Sequence, residues 1–385
     1  MRLGLDVRSV RSLREGIGNY TLYLAKGYAA APGAVELVLF GRADTAWNLL
    51  PDCERRVGPA GPRWHVWAAR QARTVDVFHS PGSLFVPLLA GRRCVLTVHD
   101  LVPFRMREAA DPWSTVTHRV FKAAVRRAAA IVTPSRHAAA DLADFLPDVA
   151  DKTTTVPLTS RFPASADAGT AAAMADADMA AAMADAGTAA AMADAETPTA
   201  TDLAPGYILS VGSLEPRKNL AALLDAHARL PDAPPLVLVG HAGWRDSALA
   251  ALIARHPRPI RLLRDVDDVA LRALYARCGV FVFPSLYEGF GLPVVEAMAC
   301  GAPVVASDAT AVPEAAGSAA VLFDPRDPAA LAGAIDRVLK DTALRSDLIS
   351  RGRSRALKRN WEDVARETLD VCRQVAALAH SAGDA

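Results

Sequence analysis

The residues most able to do chemistry in this chain lie in one string, Phe283-Pro-Ser-Leu-Tyr-Glu288-Gly-Phe-Gly291-Leu-Pro293-Val-Val-Glu296-Ala-Met-Ala-Cys-Gly301. An apolar run from Val280 to Phe283 reads as a buried strand ending at Pro284. A carboxylate and a Gly-x-Gly turn follow, then a short helix with Pro293 near its first position and Gly301 just past its end. Glycines beside a helix N-terminus leave backbone N–H groups uncrowded, the arrangement that cradles phosphates and sugar hydroxyls. Glu288 precedes that turn and Glu296 lies in the opening turns of the helix. Both can therefore face a crevice at the carboxyl end of a strand, where open α/β sheets bind ligands. A blander role for Glu296 is to complement the helix dipole, worth roughly 0.3–1 kcal/mol.

This string resembles the Glu-x7-Glu motif of the retaining glycosyltransferases of family 4, also called glycosyltransferase group 1, which have the GT-B fold. Ile208-Leu-Ser-Val-Gly212-Ser213-Leu-Glu-Pro-Arg217-Lys218-Asn219-Leu resembles the family's strand-then-Arg-Lys-Asn segment. Glu15-Gly16-Ile-Gly18-Asn-Tyr20 and Thr97-Val-His99-Asp100 look like its amino-terminal signatures, and the second is most similar to bacterial polysaccharide mannosyltransferases. The resemblance implies an α/β protein of two Rossmann-like, doubly wound domains facing each other across a cleft. It also implies transfer of a sugar, with retention at the anomeric carbon, from a nucleotide-diphosphate donor to a glycan or lipid-linked acceptor. GDP-mannose is the first donor to expect, no metal or other cofactor is required, and surface polysaccharide synthesis is the setting.

Each site residue has an expected part. Arg217 and Lys218 hold the donor diphosphate and stabilise the charge that grows on it as it leaves. Gly289, Phe290, Gly291 and Leu292 offer backbone N–H groups to sugar and phosphate. Glu288 binds a donor-sugar hydroxyl or stabilises the oxocarbenium-like centre, and Glu296 holds the ribose. Ser213 lies beside the diphosphate and Val266 in the nucleobase loop, while Gly16 and Gly18 form a glycine loop near the phosphates. His99, at the end of an apolar strand, contacts donor sugar or acceptor, or else is a core histidine satisfied by backbone. Thr21 stands where a dinucleotide fingerprint wants a third glycine, which argues against NAD.

Positioning such groups takes alternating strands and helices. Expected strands are Arg2–Asp6, Val35–Phe40, Val75–His79, Val95–Val98 and Ala130–Thr133, then Tyr207–Val211, Leu236–Val239, Ile260–Leu263, Val280–Phe283, Pro303–Ala306 and Ala320–Phe323. Short apolar strands alternating with helices predict parallel sheets buried on both faces. The domains are expected at 1–161 and 204–360, joined by an Ala/Asp-rich insert at 162–203, with a final helix over 361–385 that in the family crosses back onto the first domain. Within the insert Ala-Ala-Ala-Met-Ala-Asp-Ala occurs three times, placing Met174, Met183 and Met192 nine residues apart. Nine residues is two and a half helical turns, so no continuous apolar stripe forms, and the segment reads as a linker with no chemistry.

The length of 385 residues suits two domains of ordinary size. The net charge of +1 conceals a division: residues 1–161 carry 22 basic against 14 acidic side chains, 162–203 none against 7, and 204–385 balance at 21 each. A basic first half, densest at Arg105, Arg107, Arg119, Lys122, Arg126 and Arg127, fits phosphate-bearing acceptors or peripheral contact with an anionic inner membrane face. No nucleic-acid motif accompanies it. Met1 leads directly into polar residues without the pattern of a signal peptide, and five cysteines without C-x-x-C spacing read as reduced, buried thiols, so a cytoplasmic protein is expected. Two rivals remain. Asp265-Val-Asp267 resembles the D-x-D metal site of the other glycosyltransferase fold, which chelator sensitivity would reveal. A sugar-nucleotide epimerase of related architecture would consume donor without acceptor. Outside enzymes, a non-catalytic sugar-nucleotide binder is the alternative.

Overall fold

The computed structural model describes residues 1–11, 16–31, 33, 35–106, 114–164, 203–240 and 246–381. The chain divides into two compact units, Met1–Leu158 with Asn360–Ala385, and Thr159–Arg359. The first unit carries a seven-stranded sheet of β1 (Arg2–Asp6), β2 (Glu36–Gly41), β3 (Glu54–Val57), β4 (Val77–Ser80), β5 (Cys94–Thr97), β6 (Ala130–Thr133) and β7 (Thr153–Thr155). Its spatial order is β3-β2-β1-β4-β5-β6-β7, and every pairing is parallel. In the second unit β8 (Ile208–Val211), β9 (Leu236–Val239), β10 (Ile260–Leu263), β11 (Val280–Phe283), β12 (Val304–Ser307) and β13 (Ala320–Phe323) are ordered β10-β9-β8-β11-β12-β13, again all parallel.

Parallel sheets of this kind need apolar residues on both faces, and the strands supply them. In the second unit Leu209, Val237, Val239, Phe281, Phe283 and Val304 fall into one core cluster. Their neighbours Ile208, Leu236, Leu238, Val280, Val282 and Val305 fall into another, as the period of two requires. All eleven expected strands form, displaced by no more than two residues at an end. The two missed strands, β3 and β7, are the sheet's edges. One is a charged Glu-Arg-Arg-Val segment and the other three threonines, the short polar composition that protects edges from further pairing.

Two boundaries need correction. Thr159, Ser160 and Arg161, expected in the first domain, belong to the second unit. Phe162, expected to open the linker, is a core residue 7% exposed, with its ring 6.2 Å from that of Tyr275. An aromatic side chain buries too much area to be left in a linker when the core around Tyr275 is at hand. The repeats themselves lie outside the described residues, as does Arg107. Of the five cysteines, four are buried and Cys53 is half-buried; none forms a disulfide.

The terminal helix, Trp361–Ser381, belongs to the first unit and packs along the helix Gly16–Ala30. Gly27 makes that approach feasible: a Cβ there would lie 2.5 Å from the Ala365 Cβ. Tyr23 stacks on Trp361 at 5.4 Å between centroids, and Val364, Leu369 and Val375 are buried beneath.

Candidate active site

In both sheets the winding reverses once, between β1 and β4 in the first unit and between β8 and β11 in the second. Ligands bind such sheets at the carboxyl ends of the strands flanking that switch point. In the second unit the loops leaving β8 and β11 hold Ser213, Arg217 and Lys218 on one side and Glu288 to Gly291 on the other.

Those loops are tied together by their backbones as well as their charges. Asn219, left-handed at φ 55°, turns the short 3-10 helix Pro216–Lys218 into the helix Leu220–Arg229. Its side-chain amide donates to the carbonyls of Pro284 (3.2 Å) and Pro325 (2.7 Å). The Leu286 N–H donates to the Arg217 carbonyl at 2.8 Å. On this frame Lys218 Nζ donates to Glu288 Oε1 at 2.6 Å and Arg217 Nη1 donates to Glu288 Oε2 at 3.0 Å. The second edge of the Arg217 guanidinium holds Glu215 at 2.7 Å. The Glu288 N–H donates to Thr310 Oγ1 at 3.0 Å, and Thr310 is itself left-handed at φ 53°. Burial pushes the Glu288 carboxyl up, but Lys218 and Arg217 outweigh burial and hold it below the usual carboxylate range. Burial pulls the Lys218 ammonium below its ordinary value, with Glu288 pulling back. The cluster thus sets the two cations Arg217 and Lys218 against the two carboxylates Glu288 and Glu215. A hollow beside it is lined by Gly212, Ser213, Lys218, Phe283, Pro284 and Ser285.

The helix after the Glu288 loop runs Leu292–Ala299, as expected, with Pro293 in its first turn. Gly291 caps it at φ 105°, a conformation that a side chain would strain, and Gly301 leaves it at φ 80°. Phe290 is buried, and Leu292 opens the helix, where Pro293 has no N–H and the Val294 N–H donates to the Gly291 carbonyl at 3.0 Å. Glu296, in the same helix, has partners of its own: Arg161 Nε stands 3.3 Å from Oε1, and the Tyr275 hydroxyl donates to Oε2 at 3.4 Å. Burial raises its carboxyl to about 7, against the pull of Arg161. The two glutamates expected to share a crevice therefore hold separate sets of partners. Val266 is partly buried against the apolar core, in the loop after β10. Asp267 does not resemble a metal ligand in its use: its carboxylate caps the helix Asp268–Arg277, accepting from the Ala270 N–H at 2.7 Å.

The amino-terminal candidates sit in the first unit. Gly16 and Gly18 are in the opening turn of the helix Gly16–Ala30, not in a loop, so they present a helix N-terminus. The residues just before, 12–15, lie outside the described ones. His99 follows β5, and its Nε2 lies 2.7 Å from the Pro81 carbonyl beyond β4. A carbonyl can only accept, so Nε2 carries the proton and Nδ1 is left as the acceptor. Burial lowers its pKa, partly offset by the Pro81 bond and Asp100, and keeps the ring neutral. Tyr20 meets it edge-on at 4.8 Å. Sequence reasoning missed the support behind it: Tyr20 Oη lies 3.2 Å from Thr97 Oγ1, which lies 2.8 Å from Nε2 of His79. His79 is fully buried, and burial lowers its pKa to about 3. Also missed were Arg161, Tyr275 and Thr310, which lie far from any motif in the chain and are brought in only by the fold.

Solved structures confirm the architecture. The chain covers 98% of itself on sucrose-phosphate synthase from Thermosynechococcus elongatus, all of that chain, with TM-score 0.73 and 23% identity. Against Anabaena HepE in complex with UDP-glucose the TM-score is 0.72 at 21% identity, covering 99% of this chain and 100% of that one. Two parallel, doubly wound sheets with these neighbours make the fold GT-B. Residues 195–355 match the family "Glycosyl transferases group 1" and residues 14–158 match "Glycosyltransferase Family 4". The chain belongs to the group 1 glycosyltransferases of family 4. Among its curated relatives, "O-antigen chain mannosyltransferase B" of Escherichia coli is 42% identical over 172 residues, 43% of this chain and 45% of that protein. A "Serotype-specific mannosyltransferase WbdA" of Escherichia coli is 35% identical over 167 residues, 41% of this chain and 20% of that one. The matched stretches thus span less than half of these relatives' lengths.

Proposed function

We propose that this protein transfers a sugar, with retention, from a nucleotide-diphosphate donor to a glycan or lipid-linked acceptor in surface polysaccharide synthesis. The observation that carries the reading is the convergence of Lys218 Nζ and Arg217 Nη1 on Glu288, at 2.6 and 3.0 Å, in the two loops flanking the switch point. Preorganised cations there suit a group that gains negative charge as the reaction proceeds. The anomeric C–O bond breaks with its electron pair going to the diphosphate, where Arg217 and Lys218 stabilise it. The acceptor oxygen bonds the same face of the sugar, and its proton passes to the departing phosphate oxygen. Glu288 steadies a donor-sugar hydroxyl or the cationic centre, Glu296 takes the ribose hydroxyls, and the loop of Val266 takes the nucleobase. Ser213 and the N–H groups from Gly289 to Leu292 serve the phosphate and sugar. His99, neutral and with Nδ1 able to accept, suits a sugar or acceptor hydroxyl. No metal is needed in this scheme, which fits the use of Asp267 as a helix cap.

Mannose is the first donor sugar to test, because the relatives above are named as mannosyltransferases. The expected result is that GDP-mannose is consumed in the presence of chelator and that proton NMR shows an α-linked product from the α-linked donor. A β-linked product would overturn retention, a lost rate in chelator would overturn metal independence, and consumption to an isomerised sugar without acceptor would make the protein an epimerase.

A cytoplasmic enzyme that visits the inner membrane face is the corresponding reading of location. Among the described residues no helix is long and apolar enough to cross a membrane. Arg126 and Arg105, two of the basic residues expected to meet lipid, are paired with Asp148 and with Asp141 and Asp144. The contact then depends on Arg119, Lys122 and Arg127. Each well-placed base contributes about 1 kcal/mol at an anionic surface. Binding to anionic vesicles at low salt, lost at high salt and on Arg119→Glu/Arg127→Glu, is the expected outcome of co-sedimentation. Failure to bind at low salt, or binding indifferent to both salt and mutation, would overturn this reading in favour of a soluble acceptor.

A further inference from the structure

Glu296 is 6% exposed and would be costly to keep ionised without a partner. Its partner comes from an unexpected place. Arg161 lies in the segment that opens the second unit, more than a hundred residues before the helix it reaches. Its side chain is 8% exposed, and it spans two carboxylates: Nε stands 3.3 Å from Glu296 Oε1, and Nη2 stands 3.3 Å from Asp268 Oδ1. Three local contacts fix the backbone that presents it. Thr159 Oγ1 donates to the Arg359 carbonyl at 2.8 Å, tying the unit's first residue to its last. Ser160 Oγ donates to the Phe162 carbonyl at 3.0 Å and accepts from the Phe162 N–H at 2.9 Å. The Phe162 ring then lies 4.9 Å beneath the Arg161 guanidinium and edge-on to Tyr275, which donates to the other Glu296 oxygen.

We propose that Arg161 is the positioning residue for Glu296, holding its carboxylate ionised and oriented for the vicinal hydroxyls of the donor ribose. This deepens the proposed function and rests on its assignment of Glu296 to the ribose. A buried ionised carboxylate with Arg161 on one oxygen and the Tyr275 hydroxyl on the other still has lone pairs for two more hydroxyl donors. A neutral carboxyl has to give one oxygen to its own proton and accepts more weakly. The charged and titratable groups around Glu296 are Arg161 and Tyr275, which favour its ionised form, and Asp268, which opposes it. Cys278 and Cys300 belong to the core cluster of Tyr275 and Phe162, and Arg353 packs against Gly301 beyond the far end of the Glu296 helix. Because burial raises the carboxyl to about 7, Glu296 is poised at the edge of ionisation. Removing an adjacent cation raises a carboxyl by about one to three further units.

The test is the pH dependence of GDP binding, followed by calorimetry between about pH 5.5 and 9, with the 2′,3′-dideoxy analogue of GDP in parallel. In the wild type, GDP affinity rises with pH through about 7, while dideoxy-GDP binds weakly and without that inflection. Arg161→Met moves the inflection upward by at least about one unit, so GDP binds about tenfold more weakly near neutrality and recovers in alkali. Arg161→Lys restores most of the wild-type profile. An Arg161→Met profile that inflects where the wild type does would overturn the proposal, even if affinity falls uniformly. Glu296→Gln discriminates the two layers: GDP binding that is unchanged in that variant would overturn the ribose assignment itself.

Discussion

Glu288→Gln is expected to lower turnover by about 10²–10³ while leaving nucleoside diphosphate affinity unchanged or tighter, on the scale of losing one preorganised transition-state contact. The geometry explains the asymmetry. Glu288 is the shared counter-ion of Lys218 and Arg217 at 2.6 and 3.0 Å. An arriving diphosphate must compete with it for both cations, so neutralising it removes a competitor. What turnover loses is the negative charge opposite the sugar's developing positive one. Steady-state kinetics with binding measured separately checks this, since an interaction made only in the transition state lowers kcat and kcat/KM together. Equal falls in turnover and donor affinity would move Glu288 out of that role. Stability has its own signature. A carboxyl held low in the folded state contributes stability that is full above its unfolded pKa and lost as pH falls through its folded value. Acid unfolding of the wild type should therefore steepen below the ordinary carboxylate range, and in Glu288→Gln that component should be absent.

Lys218→Met is the second large effect, and of opposite kind. Lys218 is 8% exposed, and its stem packs beside Gly212, with Nζ 5.1 Å over the Phe283 ring. Methionine keeps much of that volume but removes the charge. The expected result is a loss of about 10²-fold in affinity for donor and free nucleoside diphosphate alike, the scale of a charge-assisted contact of about 2–3 kcal/mol. Arg217 keeps Glu288 paired at 3.0 Å, so the variant folds, with a lower melting temperature. Calorimetry with circular dichroism reads both; an unaltered diphosphate affinity in a folded variant would remove Lys218 from the site.

Much of this site was legible in the chain because its parts are local. The strand, Gly291 turn and Pro293-led helix around Glu288 are contiguous, and each piece signals its own conformation through apolar runs and φ-demanding residues. The same holds for β8 and the Arg217–Lys218 turn. The edge strands β3 and β7 escaped because edges are selected for polarity, which erases the apolar signal. The family resemblance implied a glycine loop at Gly16 and Gly18, whereas both lie in a helix that packs against the terminal helix. The partners of Glu296 and His99 escaped for a deeper reason. Arg161, Tyr275 and His79 have no motif of their own, and Thr97 stands in one that does not show its partner; their meaning appears only when topology brings remote segments together.

The central claim is that Lys218 and Arg217 hold the donor's diphosphate, and one calorimetric cycle tests it most directly. Wild type and Lys218→Met are each titrated with GDP and with GMP, in chelator, at one pH and ionic strength. If Lys218 contacts the β-phosphate, the substitution should cost GDP about 10²-fold and GMP little, the difference being the coupling energy of that one contact. Equal losses for both nucleotides, or none for either, would contradict the account.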